Sequence, residues 1–137
     1  MVTVRWIRLM TIINLGLVAL QPLSAGFFLS GYSRAVAVHA AVAMALQLGA
    51  VIQAVTAAVL WRLGRVPPWV AGFSIGLLVV VFLQVGLGHN NRHWLHVPIG
   101  VAMLGWLREQ LNRLDTISRT NRAAIIPAAP NPGVSPP

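Results

Sequence analysis

Residues 66–107 read VPPWVAGFSIGLLVVVFLQVGLGHNNRHWLHVPIGVAMLGWL. Within this stretch, Trp69 to Gly88 carries no charged side chain. As a helix it is long enough to cross roughly 30 Å of hydrocarbon at about 1.5 Å per residue. Pro67-Pro68 suits the start of that helix, because first-turn N–H groups have no intrahelical partner and proline supplies none. His89-Asn90-Asn91-Arg92-His93 is a short polar loop, so the run that starts at Trp94 returns antiparallel. Trp94 to Leu107 alone covers only about 21 Å. It is expected to continue through Arg108-Glu109-Gln110-Leu111-Asn112-Arg113-Leu114 into the membrane interface, with the Arg side chains snorkelling.

Two further runs come before it. Ile7 to Ser30 is broken only by Arg8, Asn14 and Gln21-Pro22, and Ala35 to Trp61 is rich in Ala and Val. The first has the basic flank of a signal peptide, but it is long for one and has no clean A-x-A site, which favours a retained helix. Arg62-Leu63-Gly64-Arg65-Val66-Pro67-Pro68 reads as a tight turn. These segments predict an all-α, four-helix transmembrane bundle over residues 1–119, with helices at about 7–30, 35–61, 68–88 and 94–116. The Ala/Pro-rich residues 120–137 are expected to form a disordered tail.

Composition points the same way. Of 137 residues, 57% are hydrophobic and only 9% charged, where a soluble domain has about a quarter charged. There are ten Arg, no Lys, and only Glu109 and Asp115 to oppose them, for a net charge of +8. The absence of Cys excludes disulfide exchange, Fe–S clusters and thiolate-ligated zinc. So few carboxylates also exclude paired-carboxylate glycoside chemistry.

The arginines set a topology rather than a nucleic-acid surface. Arg5, Arg8, Arg62, Arg65, Arg108, Arg113, Arg119 and Arg122 fall on one side of the expected bundle; Arg34 and Arg92 fall on the other. Cytoplasmic loops carry the excess of Arg, so both termini are expected in the cytoplasm. Trp6, Trp61, Trp69 and Trp106 would mark the inner interface, and Tyr32 and Trp94 the outer one. Arg without Lys suggests a GC-rich genome, hence a bacterium and its plasma membrane.

All four histidines fall in the outer half: His39, His89, His93 and His96. His39 lies a few residues into the second helix from the outside, and His96 a few residues into the fourth. Those helices run the same way, so the two imidazoles are expected at similar depth, facing each other across the core. Ionisable residues inside a membrane are functional by default, and neutral imidazoles from two helices of a bundle suit iron, copper or zinc. The His39 face continues through Ala43, Leu46, Ala50 and Gln53. Gly100 and Met103 follow His96 on its own helix, and the small residue at Gly100 leaves room for a flat macrocycle. Arg34 and Arg92 each precede one of these histidines and would pair with propionates.

Other readings stand beside this one. A lone His at a helix end is often an interfacial polar residue. His89, His93 and His96 are candidates for an outer copper or zinc site, with His93 and His96 at i,i+3. Asn14, Gln47, Gln53 and Gln84 are expected to bridge helices by hydrogen bonds. Gly72-Phe73-Ser74-Ile75-Gly76 is a GxxxG that permits close packing or a dimer.

The stretch Phe82-Leu83-Gln84-Val85-Gly86-Leu87-Gly88, followed by Leu95-His96-Val97-Pro98-Ile99-Gly100, resembles the third and fourth helices of one half of haem A synthase. Each half of that family is a four-helix bundle, so the resemblance covers about residues 7–114. The arrangement is also similar to small cytochrome b561-like proteins. The resemblance implies that His39 and His96 are axial ligands of one haem b. The family's catalytic half uses an outer Glu, and many members have an outer Cys pair. This chain has no carboxylate before Glu109 and no Cys, so oxidation of a haem methyl group is not expected. A homodimer would recreate the family's two-bundle architecture.

The expectation is therefore a membrane protein with one bis-His haem b per chain near the outer face. Cofactor-binding residues would be His39, His96, Arg34, Arg92 and Gly100. Electron transfer or haem handling fits better than catalysis, with the lipid bilayer as surroundings and a quinone or redox protein as an undefined partner. The alternatives are a non-haem accessory or assembly subunit of a larger membrane complex, and an outer-facing copper or zinc binder.

Overall fold

The computed structural model describes residues 2–123. Four α-helices account for almost all of them: α1 (Val2–Leu29), α2 (Ala35–Arg62), α3 (Pro68–His89) and α4 (His93–Ala123). Two differ from the hydropathy reading. α1 begins at Val2 rather than Ile7, and α4 runs to Ala123 rather than stopping near residue 116. Hydropathy marks where lipid contact ends, whereas a helix ends only where its backbone loses its i→i−4 partners. Residues 120–123 are thus helical rather than tail; the rest of the expected disordered tail, 124–137, lies outside the described residues.

The three connections share one local solution. Gly31, Gly64 and Asn91 have φ of 93°, 67° and 55°. Each closes its helix in a Schellman pair. Gly31 N donates to Phe28 O and Tyr32 N to Phe27 O; Gly64 N donates to Trp61 O and Arg65 N to Leu60 O. Asn91 N donates to Gly88 O and Arg92 N to Leu87 O, with all six bonds between 2.8 and 3.2 Å. Glycine, and next to it asparagine, tolerates the left-handed conformation that this cap demands. The turns are short, so consecutive helices are antiparallel, and both ends of the chain's helical part lie at one end of the bundle.

Each helix packs on two neighbours in the cyclic order α1–α2–α3–α4–α1. The core is layered in the same order on every helix. At the end that carries the termini, Ile7, Ala57, Val66, Val70 and Leu114 form an apolar cluster. A polar layer of Asn14, Gln53, Ser74 and Gln110 comes next, one residue from each helix. A second apolar layer holds Val18, Leu46, Ala50, Leu77, Val81, Met103 and Leu107. Beyond it are Ser24, His39, Gln84 and His96.

The polar layer is a continuous network. Asn14 Nδ2 donates to Gln53 Oε1 at 2.9 Å. Gln53 Nε2 donates to Gln110 Oε1 at 3.0 Å and to Ser74 Oγ at 3.3 Å. Gln110 Nε2 donates to the same hydroxyl at 3.2 Å, and Ser74 Oγ passes its own proton to Val70 O at 2.9 Å. All four side chains are fully buried. Asn14 Oδ1 is left without a partner and packs against Gly49, where any Cβ would collide with it.

The surface is inverted relative to a water-soluble bundle. Amides are 0% exposed in the core while Met44, Val79 and Val101 are more than 60% exposed. α1, α2 and α3 are long and apolar enough to cross a membrane. α4 does not reach that hydropathy, because Arg108, Glu109, Arg113, Asp115 and Arg119 occupy its second half. Both carboxylates are used there. Arg8 Nε reaches Asp115 Oδ1 at 2.7 Å, joining α1 to α4, and Arg113 Nε reaches Glu109 Oε1 at 2.6 Å. The two glycines of the GxxxG differ: a Cβ at Gly76 would meet the Trp106 ring at 2.7 Å, with Trp106 Nε1 donating to Phe73 O at 3.1 Å, whereas Gly72 is exposed with open space around it.

Gln53→Leu should destabilise the bundle by about 1–3 kcal/mol, since it strands buried donors and acceptors on three other helices. Gly49→Ala should cost a similar amount by overpacking Asn14. Met44→Ala, on the outer face, should cost little. Reversible unfolding in detergent micelles measures all three, and equal losses at Gln53 and Met44 would remove the network from its central place.

Candidate functional site

His39 and His96 are brought together as expected. They come from α2 and α4, which are diagonal in the bundle and approach only through side chains. Their ring centroids are 6.3 Å apart with planes inclined at 59°. Both rings are half-buried, at the open end of the bundle beyond the second apolar layer.

The register behind this meeting is built into both helices. His39 and Gln53 are 14 residues apart on α2, and so are His96 and Gln110 on α4. Fourteen residues is two heptads, so both members of each pair lie on one face of a helix in a left-handed bundle. The inward positions Leu46, Ala50, Gln53, Ala54 and Ala57 correspond one for one to Met103, Leu107, Gln110, Leu111 and Leu114, each 57 residues later, as His96 is to His39. α2 and α4 are therefore equivalent in register.

Each imidazole is held at Nδ1 by the partner helix of its own hairpin. His39 Nδ1 lies 3.0 Å from Ser24 Oγ and 3.3 Å from Gln21 O, both on α1. Ser24 Oγ gives its own proton to Gln21 O at 2.9 Å, so it accepts from His39. His96 Nδ1 lies 3.0 Å from Gln84 O on α3. A carbonyl only accepts, so these partners assign the proton of both neutral rings to Nδ1 and leave the lone pair on Nε2. A carbonyl that takes the Nδ1 proton in this way fixes the ring and leaves Nε2 as the nitrogen with a lone pair. Two imidazoles on opposite sides of one metal atom, each with N about 2.0–2.1 Å from it, have centroids about 6 Å apart. The observed 6.3 Å between centroids is of that length.

Small residues seat this layer. A Cβ at Gly88 would lie 3.2 Å from His96 Cε1. A Cβ at Gly100 would lie 2.9 Å from Gln84 Nε2, which donates to His96 O at 2.8 Å. The space at Gly100 that sequence reasoning reserves for a macrocycle is thus filled by the Gln84 amide. Pro98 leaves α4 continuous, as a proline near the first turns can.

Arg34 precedes α2 as its N-terminal boundary residue and is exposed. Arg92 is exposed and lines a groove with Phe82, Leu83, Gly86, Leu87 and Asn90, on the face of α3 turned away from Gln84. His89 ends α3 and His93 begins α4, both exposed. Among the described residues, no three or more His, Asp or Glu side chains gather to hold a metal ion, so His89, His93 and His96 do not form such a group. Sequence reasoning missed Ser24 and the carbonyls of Gln21 and Gln84. A backbone acceptor leaves no mark in a sequence, but the repeated His-to-Gln spacing was a signal for the matched depth.

Compared with known proteins, the chain matches no family model, no curated sequence and no solved structure.

In the purified, cofactor-free chain, isotope-labelled imidazole nitrogens should show His39 and His96 as Nδ1–H tautomers by NMR, with His89 and His93 behaving as solvated rings. A neutral ring with its proton on Nε2 at either His39 or His96 would overturn the ligand assignment.

Proposed function

We propose that the chain is an integral membrane b-type haem protein that holds one haem b between His39 and His96, for electron transfer or haem handling. The observation that carries this reading is the pair of imidazoles at 6.3 Å, each with Nδ1 engaged and Nε2 free to coordinate. A haem b held by His39 and His96 would supply one-electron exchange. The rest is the work of this chain's residues. Ser24 and the two carbonyls orient the rings, and Leu46, Val81 and Met103 close the core beneath them. Arg34, exposed at this end, is a cation for propionates, whereas Arg92 lies in the groove on the other face of α3 and would have to swing round to join it.

The resemblance to one half of haem A synthase supports the same ligands. The arginine asymmetry, eight against two, puts both termini in the cytoplasm and the histidine layer toward the outer face of a bacterial plasma membrane. Three helices that can span a bilayer, with apolar side chains outward, support that surrounding. Any homodimer uses a face other than Gly76, which Trp106 occupies.

Absorption spectra of detergent-purified protein, oxidised and then reduced with dithionite, test this reading. Sharp α and β bands are expected in the wild type and absent from both His39→Ala and His96→Ala. A colourless protein after expression with ample haem would sink it, and a co-purifying membrane partner would then favour an accessory subunit.

A further inference from the structure

Gln84 meets His96 twice. Its main-chain carbonyl takes the imidazole proton, and its side-chain amide donates to the His96 carbonyl. The two bonds close a ring between α3 and α4. The amide is 92% buried, and Gly100 provides the notch that admits it. Its other end, Oε1, has no partner in the described structure. A buried acceptor left unpaired is costly, so the side chain is not there to satisfy itself. It is there to hold the α4 backbone at His96.

The equivalent place on the first hairpin is Ser24, 60 residues earlier and likewise facing the histidine of its own hairpin. There the hold is of a different kind. Ser24 touches only the ring, through one hydroxyl, and makes no bond to the α2 backbone in the contacts it forms. His39 is steered; His96 is steered and clamped.

The geometry points to Gln84 as the positioning residue of His96, a clasp across α3 and α4 that fixes both the ring's tautomer and the height of its backbone. This makes His96 the anchored member of the pair and His39 the more easily displaced one. The inference rests on the bis-His reading for its meaning, though not for its measurement. Groups that hydrogen-bond the far nitrogen of a metal-bound histidine are worth about 10–100-fold in affinity, because they pre-orient the ligand and raise its basicity.

The test uses the full chain in micelles. Gln84→Leu keeps the volume and removes the amide, whereas Gly100→Ala keeps the amide and pushes it out of its notch. Both variants keep the main-chain carbonyl of residue 84 and lose only its amide's hold on the α4 backbone, so in the cofactor-free state the His96 ring should drift from that carbonyl and show an exchanging mixture of tautomers, with His39 unchanged. Ser24→Ala should do the reverse. With haem loaded, transfer to an excess of a competing apoprotein should be about tenfold faster in Gln84→Leu than in the wild type. Helix content should be the same throughout, which separates positioning from loss of fold.

A wild-type spectrum at His96 in both Gln84→Leu and Gly100→Ala would overturn the clasp, whether or not haem binds. Should the wild type take up no haem, the proposed function fails while the tautomer comparison still decides the role of Gln84. Should haem bind and leave at equal rates from wild type and variants, the function stands and the clasp does not.

Discussion

The hydrogen bond from Gln53 Nε2 to Gln110 Oε1 joins α2 and α4, one of the two diagonal helix pairs whose backbones do not meet. Every other feature of the bundle is measured from it. An amide buried in an apolar setting without a partner is costly, so sliding α2 against α4 breaks several bonds at once. Ser74 and Asn14 attach to the same amides and bring in the remaining helices. The network thus acts as a register lock between two apolar layers of Ala, Val, Leu, Ile and Met, which carry no directional bonds of their own.

The lock has a remote consequence. His39 and His96 each lie 14 residues from their amide, about 21 Å along the helix. Equal spacing on two helices that run the same way carries the match at the amides up to the imidazoles. Between the two levels, Val18, Leu46, Ala50, Leu77, Val81, Met103 and Leu107 form a dry layer. That layer insulates the histidine end from the polar network, so the two polar levels act on one another through rigid helices rather than through a chain of hydrogen bonds.

α4 is built for two surroundings. Its first half presents His96, Gly100, Met103 and Leu107 to the core. Its second half carries alternating charge, and Arg113 lies 5.2 Å from the Phe73 ring centroid and 6.0 Å from that of Trp69. With Trp106 packed on Phe73 at 5.2 Å, these side chains form a cationic and aromatic cuff at the end that carries the termini. Such a cuff suits the water–lipid boundary, where guanidinium groups and indole N–H groups stay hydrated while their bodies are buried.

Much was legible in the order of residues. Helix number, helix order and the antiparallel turns follow from apolar runs separated by Gly31, Gly64 and Asn91, because run length and local backbone freedom are properties of neighbours in the chain. The inward faces of α2 and the matched depth of His39 and His96 follow from periodicity for the same reason. What only the tertiary structure decided depends on atoms from different helices. Gln110 reads as part of a charged, interfacial stretch, yet it is fully buried because Gln53 and Ser74 face it. Gly100 reads as empty space, yet the Gln84 amide fills it. The tautomers of the two imidazoles are set by a serine hydroxyl and backbone carbonyls that no pattern marks. Sequence determines which faces are apolar; only packing determines which polar group each buried polar group meets, because hydrogen bonds are satisfied by distance and angle rather than by residue type.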